Sequence, residues 1–171
     1  MELKEALLQQ HSKPNTLAIA RRVLAGDYAF EALWHLIRSG PPPFPQRASW
    51  VLDAVTAEAP FYLEAHLPEA VALLRQPAHN AVHRNLVKAL SRIAIPEDLQ
   101  GEVYGFCIDS LMNPKALPAI QAFSMTLAAN IARGVPELEE ELALVIVDQM
   151  DFNTAAFKAR GRRILSLLQK N

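Results

Sequence analysis

The side chains that could bind a metal ion are few and widely spaced. His79 and His83 are four residues apart, so on a helix both imidazoles would lie on one face, as a metal-binding pair requires. No third ligand is evident, because the nearest acidic residues, Glu97 and Asp98, fall on the next predicted helix and no His-Glu-x-x-His pattern occurs. We therefore predict no metal site and interpret both histidines as surface or groove residues.

Residues that could act as nucleophiles or as acid–base pairs are equally sparse. Cys107 is the only cysteine, and its neighbours in Tyr104–Leu111 are apolar or acidic, which raises the pKa of a thiol and indicates a packing role. Glu31 and His35 are one turn apart, a spacing more typical of a helix-face hydrogen bond than of a general acid–base pair. With six glycines and no glycine-rich phosphate loop or G-x-S-x-G motif, the chain is predicted to have no catalytic residue and no cofactor.

Lysine and arginine form the more distinctive groups. The segment Lys158-Ala-Arg160-Gly-Arg162-Arg163 is the most concentrated, and no acidic residue occurs from 152 to 171. On a helix, positions 158, 162 and, more laterally, 163 share a face, whereas Arg160 points away. The segment could bind phosphate or an acidic protein segment, or it could be a C-terminal cap whose cations favour the helix dipole.

A second basic group lies in the middle of the chain. Arg84, Lys88 and Arg92 are spaced i, i+4, i+8, with no acidic residue among them. On one helix they would form a continuous basic stripe, and this stripe is the feature on which the functional prediction chiefly depends.

These residues must be positioned by helices. Helix-forming residues dominate the 171-residue chain, 51% of the residues are apolar, and no stretch shows sustained alternation of apolar and polar residues. Twelve prolines serve mostly as helix boundaries, and Pro68 and Pro118, which fall inside or near the start of predicted segments, favour later helix starts. We predict an all-α fold in a single domain over residues 1–171.

Charge is sorted along the predicted helices. Cutting the chain at its proline, glycine and polar breaks gives a series of helical hairpins. The predicted first helices span residues 28–38, 61–75, 97–112 and 137–151, and together they carry thirteen acidic and two basic residues. The predicted second helices span residues 15–25, 44–58, 79–93, 115–133 and 154–170, and together they carry thirteen basic and two acidic residues.

The second helices also show an internal repeat. Aligning Arg47–Ala54, His83–Leu90, Ile120–Leu127 and Lys158–Leu165 places Trp50, Leu86, Phe123 and Gly161 at one position, in steps of 36, 37 and 38 residues. This is the period of a helical-hairpin repeat, in which stacked hairpins bury a shared apolar core. Asp53 aligns with Ala89, Thr126 and Ile164 and is the only acidic residue at its position.

On these features the chain resembles the HEAT-repeat family and, more loosely, the armadillo-type α-solenoids over about residues 14–168. The family's Asp followed by Val-Arg is matched poorly, with Val82-His83-Arg84 the nearest copy. Gly161 replaces an apolar anchor, which indicates either a tight helix approach or a terminal cap. The resemblance implies a right-handed α-α superhelix of about four helical hairpins plus a short N-terminal helix.

The resemblance also implies a function. In HEAT-type arrays the second helices line the concave face, so a basic inner and an acidic outer surface are expected; the alternative is that oppositely charged neighbouring helices simply reduce repulsion. The leading hypothesis is a non-enzymatic scaffold whose basic groove binds an acidic protein or peptide. The candidate groove residues are Arg47, Arg84, Lys88, Arg92, Lys158, Arg162 and Arg163.

Two rival functions stay open. Some HEAT-like proteins are DNA glycosylases, and Trp50, Asp53 and Trp34 could form an aromatic and carboxylate cluster in a groove that binds nucleic acid. Trp50 aligns with the apolar Leu86 and Phe123, however, which favours a core position. The other rival is a structural protein whose acidic and basic faces meet between copies, so the oligomeric state is open.

Bulk properties limit the setting. A formal net charge of −1 does not favour a general nucleic-acid or membrane binder, and no apolar run approaches the roughly 20 residues that span a bilayer. The N-terminal residues lack the basic and apolar regions of a signal peptide, and a single cysteine fits a reducing compartment. We expect a cytoplasmic protein without membrane partners.

Overall fold

The all-α prediction is confirmed. The computed structural model describes residues 1–170 and leaves out Asn171. The protein is 75% helical, with eleven helices and no strand in the described residues. The helices are α1 (Leu3–Gln9), α2 (Lys13–Leu24), α3 (Phe30–Ser39), α4 (Phe44–Glu58), α5 (Phe61–Glu64), α6 (Leu67–Arg75), α7 (Asn80–Leu90), α8 (Glu97–Met112), α9 (Pro118–Ala132), α10 (Pro136–Met150) and α11 (Ala155–Leu168).

Proline starts five of these helices. A proline lies in the first two positions of α2, α4, α6, α9 and α10, where its missing N–H would have no helical acceptor. The later start predicted at Pro118 is confirmed, since α9 begins there; at Pro68 the later start is confirmed only in part, since α6 begins at Leu67 after the short helix α5. At α11, which lacks a proline, the Thr154 hydroxyl accepts the Phe157 N–H at 3.2 Å instead.

The structure departs from the predicted bounds in two places. The predicted helix at 61–75 is two helices, because the ring of Pro68 would clash with the carbonyl of Glu64 in an unbroken helix. The seven-residue α1 precedes all the predicted ranges, the first of which, at 15–25, corresponds to α2. A capping box between Glu2 and Glu5 satisfies backbone N–H groups at its start, and its buried face carries Leu3, Ala6 and Leu7.

The chain divides into two compact units, which we call unit 1 (Met1–Ile93) and unit 2 (from Ala94 onward). In unit 1 the central helix α4 packs against α2, α3 and α7, and in unit 2 α9 packs against α8, α10 and α11. The second helices of consecutive hairpins therefore contact one another within each unit, as α2–α4–α7 and as α9–α11. The assignment of residues 1–171 to one domain stays a prediction, and Asn171 lies outside the described residues.

The repeat positions contribute to the core unequally. Leu86 is fully buried, whereas Trp50 and Phe123 are half-buried. Gly161 is buried, and a Cβ atom there would lie 2.7 Å from Met150 Cε and 3.0 Å from Ile146 Cγ2. Of the two explanations for this glycine, the structure therefore supports a close approach of α11 to α10. No helix in residues 1–170 is long and apolar enough to cross a membrane.

Candidate functional site

The basic stripe of α7 meets a carboxylate from the neighbouring helix. Asp53 on α4 is only 8% exposed, and each of its carboxylate oxygens contacts a cation. Lys88 Nζ lies 2.8 Å from Oδ2, and the Arg92 guanidinium lies 2.8 Å from Oδ1. Arg92 also donates to the Asp53 carbonyl and to the Thr56 hydroxyl, both at 3.3 Å. We call Asp53, Thr56, Lys88 and Arg92 the Asp53 cluster.

The Asp53 cluster offsets part of the positive charge of the predicted stripe. Lys88 and Arg92 share one buried counter-ion, which the stripe's own helix could not reveal because it comes from α4. Arg84, the remaining member, is half-buried with its Nε 3.4 Å from Asn85 Oδ1. Asn85 in turn donates to the Ser49 hydroxyl at 3.1 Å, which adds a further polar contact between α4 and α7.

Arg47, the other predicted groove residue of unit 1, has a structural contact. Its side chain is half-buried and donates a hydrogen bond to the backbone carbonyl of Leu7 at 2.8 Å. This bond links α4 to the C-terminal half of α1, where the last carbonyl groups accept no hydrogen bond from their own helix. Removing Arg47 would therefore disturb the packing of α1 as well as the surface charge.

The proposed aromatic and carboxylate cluster does not form around Asp53. Trp34 is 1% exposed, and its indole N–H donates to Glu69 Oε2 at 2.6 Å rather than facing Asp53. Trp50 is half-buried, with its ring centroid 5.3 Å from that of His11. The carboxylate of Asp53 is bound by two cations, so its geometry is that of a counter-ion.

Glu69 is the centre of a second polar network in unit 1. The hydrogen bond from Trp34 and the nearby Arg38 guanidinium, 2.7 Å away, lower the pKa of Glu69, with the indole bond the largest cause. His66 Nδ1 lies 3.4 Å from Glu69, and His66 Nε2 lies 2.9 Å from Glu31. Glu31 therefore contacts His66 across helices and not its sequence neighbour His35.

The histidine pair at the start of α7 serves local structure. His79 Nδ1 accepts the backbone N–H of Ala81 at 3.1 Å and so caps the helix, and His83 Nε2 lies 3.1 Å from the Gln76 carbonyl. Across residues 1–170, no group of three or more His, Cys, Asp or Glu side chains is arranged to hold a metal ion.

Unit 2 contains a pocket between its two second helices, which we call the α9–α11 pocket. Its volume is about 480 Å³. Arg133, at the C-cap of α9, and Arg160 and Arg163, one turn apart on α11, supply its cations. Arg160 is half-buried and donates to the Thr126 hydroxyl at 2.6 Å. The remaining lining residues are Ala129, Asn130, Ile164, Leu167 and Leu168.

The arginines of this pocket have no counter-ion comparable with Asp53. Neither α9 nor α11 contains an aspartate or a glutamate. Within residues 1–170, no carboxylate lies at ion-pair distance from Arg133, Arg160 or Arg163. Three guanidinium groups beside an open cavity present planar N–H donors, and charge-assisted hydrogen bonds to carboxylate or phosphate suit this geometry.

The predicted groove residues of unit 2 are only partly involved in this pocket. Arg163 lines it, whereas Lys158 is half-buried and Arg162 exposed outside it. Arg160, which helical spacing set apart from the other cations, faces the pocket, and Arg133 was not identified from the sequence. The spacing 160, 163, 164, 167 along α11 was the available signal, because it places arginine and apolar residues on one helix face.

The repeat register and the helical hairpins agree with a comparison against protein families. A family model described as a HEAT repeat domain matches residues 3–168. The chain belongs to the HEAT repeat family. Neither the search of curated proteins nor the search of solved structures gave a match. HEAT repeats are typical of helical scaffolds that offer extended binding surfaces, and the family is typically non-catalytic.

The HEAT register relates the two units residue by residue. Asp53 on α4 and Thr126 on α9 occupy the same repeat position, two repeats apart. Each binds a basic side chain of the next second helix: Asp53 binds Lys88 and Arg92, and Thr126 binds Arg160. One position of the HEAT repeat therefore carries a carboxylate in unit 1 and a neutral hydroxyl in unit 2.

Cys107 belongs to the core of the HEAT fold. Its side chain on α8 is fully buried, and burial raises the pKa of the thiol to about 12. A buried thiol held in its neutral form is a poor nucleophile and metal ligand. Its predicted packing role agrees with this position.

Proposed function

We propose that this HEAT repeat protein is a non-enzymatic interaction module that binds an acidic protein or peptide through basic side chains of its second helices. The observation that carries the proposal is the absence of aspartate and glutamate from α9 and α11, beside four basic residues of α11. A helix layer with unpaired cations attracts an acidic partner over long range and favours it over basic ones.

The seven predicted groove residues do not contribute equally in this proposal. Lys88 and Arg92 share the carboxylate of Asp53, and Arg47 donates to the backbone carbonyl of Leu7, so part of their positive charge is offset or bonded within unit 1. Lys158, Arg162 and Arg163 lie on a helix without acidic residues. The strongest partner contacts are therefore expected on α11, with Arg84 as the main contributor from α7.

A binding titration with a fluorescein-labelled polyglutamate peptide tests this function. We expect the triple variant K158Q/R162Q/R163Q to lower the affinity at least tenfold, because it removes three positive charges from one helix. The binding of the unsubstituted protein should weaken as salt rises, as contacts between exposed charges require. Fluorescence anisotropy at low and high salt provides the measurement.

The matched control removes the same charge elsewhere. Lys4, Lys13 and Arg21 are exposed cations of α1 and α2, and the variant K4Q/K13Q/R21Q changes the net charge by the same amount. It should leave the affinity within about twofold. Equal losses in both triple variants, or no peptide binding by the unsubstituted protein, would overturn the proposed function.

A further inference from the structure

The α9–α11 pocket has features that a generally basic surface does not need. Its cations come from two helices: Arg133 from the end of α9, and Arg160 and Arg163 from α11. Arg160 is fixed by its 2.6 Å bond to Thr126, which uses one N–H of a guanidinium group that carries several. Holding the side chain in place before a ligand arrives reduces the entropy lost on binding.

The other wall of the pocket is apolar. Ile164 is buried, and Leu167, one turn further along α11, is 48% exposed in the lining. A simple anion such as free phosphate would leave this leucine in contact with water. A ligand that carries an apolar side chain next to its negative charge would satisfy both walls, because it would bury Leu167 and meet the arginines at the same time.

Charge in the rest of unit 2 favours a short acidic segment over a long polyanion. From Ala94 onward the chain has ten acidic and seven basic residues, so its formal net charge is −3 even with the three pocket arginines included. A nucleic acid would bring many phosphates against this surface, whereas a peptide places a few carboxylates only where the arginines are.

We propose that the α9–α11 pocket binds a peptide segment in which glutamate or aspartate residues flank a large apolar residue. The carboxylates bind Arg133, Arg160 and Arg163, and the apolar side chain packs against Ile164 and Leu167. This inference rests on the proposed function and deepens it, since it assigns the binding site to one pocket and adds an apolar requirement to the partner.

The test compares two arginines that differ by one position. Arg163 lines the pocket, and Arg162 is an exposed neighbour on the same helix that does not. The probe is a fluorescein-labelled Glu-Glu-Leu-Glu-Glu-Leu-Glu peptide, followed by anisotropy with the full chain. We expect R133Q and R163Q each to weaken binding about tenfold and R162Q to change it less than about twofold.

Altered probes separate the two walls and the ligand class. Replacing leucine by serine in the peptide should weaken binding about fivefold, since the contact with Leu167 is lost. The corresponding peptide with glutamine in place of glutamate should not bind. A short labelled oligothymidylate should bind more weakly than the acidic peptide; tighter binding that is lost in R133Q and R163Q would overturn the peptide assignment.

The outcomes distinguish this inference from the proposed function. Equal losses in R162Q and R163Q would overturn the pocket and leave a generally basic α11 surface in place. An unchanged affinity of the serine-substituted peptide would overturn the apolar requirement. Failure of the unsubstituted protein to bind any acidic peptide would overturn both proposals. Circular dichroism of each variant, with unchanged helix content expected for these exposed arginines, shows that a loss of binding is not a loss of fold.

Discussion

Second helices of neighbouring repeats contact each other in both units, as α4–α7 in unit 1 and as α9–α11 in unit 2, but the side chains at these two contacts carry different charges. At one repeat position, Asp53 of α4 binds two cations of the next second helix, whereas Thr126 of α9 offers only a hydroxyl to Arg160. In unit 1 the basic residues serve the fold. In unit 2 Arg133, Arg160 and Arg163 line a cavity, and no carboxylate of the described residues lies at ion-pair distance from them.

This difference shows why the net charge of a helix's own sequence does not predict the charge that the helix presents at the protein surface. The α7 stripe has no acidic residue of its own, yet two of its three members share the carboxylate of Asp53 on α4, which offsets one of their two positive charges. Partly buried ion pairs act mainly as geometric constraints, since the cost of desolvation offsets much of their attraction. Available charge therefore depends on which residue faces the helix from its neighbour.

The largest effect is expected from removing the carboxylate of unit 1. D53A should lower the free energy of unfolding by about 2–3 kcal/mol, because Lys88 and Arg92 would keep their partly buried charges and lose the carboxylate that both contact. Urea denaturation followed by circular dichroism measures this change. E58A is the matched control on the same helix: Glu58 is exposed, and a change within about 0.5 kcal/mol is expected. Equal effects of the two substitutions would show that the ion pairs contribute nothing net.

The next prediction converts unit 2 to the arrangement of unit 1. T126D places a carboxylate opposite Arg160, so it should compete with the acidic peptide and weaken its binding about tenfold, or about 1.4 kcal/mol. T126V removes the hydroxyl without adding charge and should change the affinity less than about threefold. Anisotropy titration provides both values. Binding that survives T126D unchanged would contradict the role assigned to the missing carboxylate.

A smaller effect concerns the seating of α11. G161A should destabilise the protein by about 1 kcal/mol, because the new Cβ meets Ile146 Cγ2 at 3.0 Å and displaces Met150. G105A on α8 is the counterpart, since no atom lies within 4 Å of a Cβ built there. It should stabilise the protein by about 0.5–1 kcal/mol through helix propensity. Urea midpoints of opposite sign are expected, and a stabilising G161A would contradict the close approach.

The smallest effect is an alkaline one that belongs to unit 2. Burial raises the pKa of Cys107 from 9.0 to about 12, so the thiol stays neutral in the folded state while it ionises in the unfolded chain. Stability is therefore intact below about pH 9 and falls as pH rises from there towards 12. At pH 9.5 the loss should be just under about 1 kcal/mol, and C107A should remove it.

Tyr104 needs its own control in that experiment. Burial, together with the neighbouring Glu141, also raises the pKa of its phenol, so Y104F should leave the loss between pH 8 and pH 9.5 almost unchanged and reduce the loss only at still higher pH. Denaturation at pH 8 and pH 9.5 compares the variants. A loss of the same size in C107A and in the unsubstituted protein would show that other groups cause it.

Much of the architecture could be predicted from the sequence, because prolines and apolar periodicity act locally. Pro118 begins α9 as expected, and the repeat register identified Asp53 as an exception at its position. The break at Pro68 was only partly anticipated, since the helix on its N-terminal side continues for a single turn. The seven-residue α1 is stabilised by packing, which its short sequence does not announce.

The candidate site was less predictable, because it depends on contacts between helices. The pairing of Lys88 and Arg92 with Asp53 requires knowing which faces of α4 and α7 meet. The pocket requires knowing that Arg160 leans onto Thr126 and that the end of α9 brings Arg133 beside it. Counting the charges of each helix separately reveals neither of these arrangements.

The positions of the two tryptophans allow the two units to be distinguished by fluorescence. Trp34 and Trp50 both lie in unit 1, and unit 2 has no tryptophan in its sequence. Indole emission therefore follows unit 1, where Trp34 is bonded to Glu69 and Trp50 lies on the helix of Asp53. A peptide that occupies the α9–α11 pocket should leave this emission unchanged even at saturation, so a label on the ligand is the means of seeing it bind.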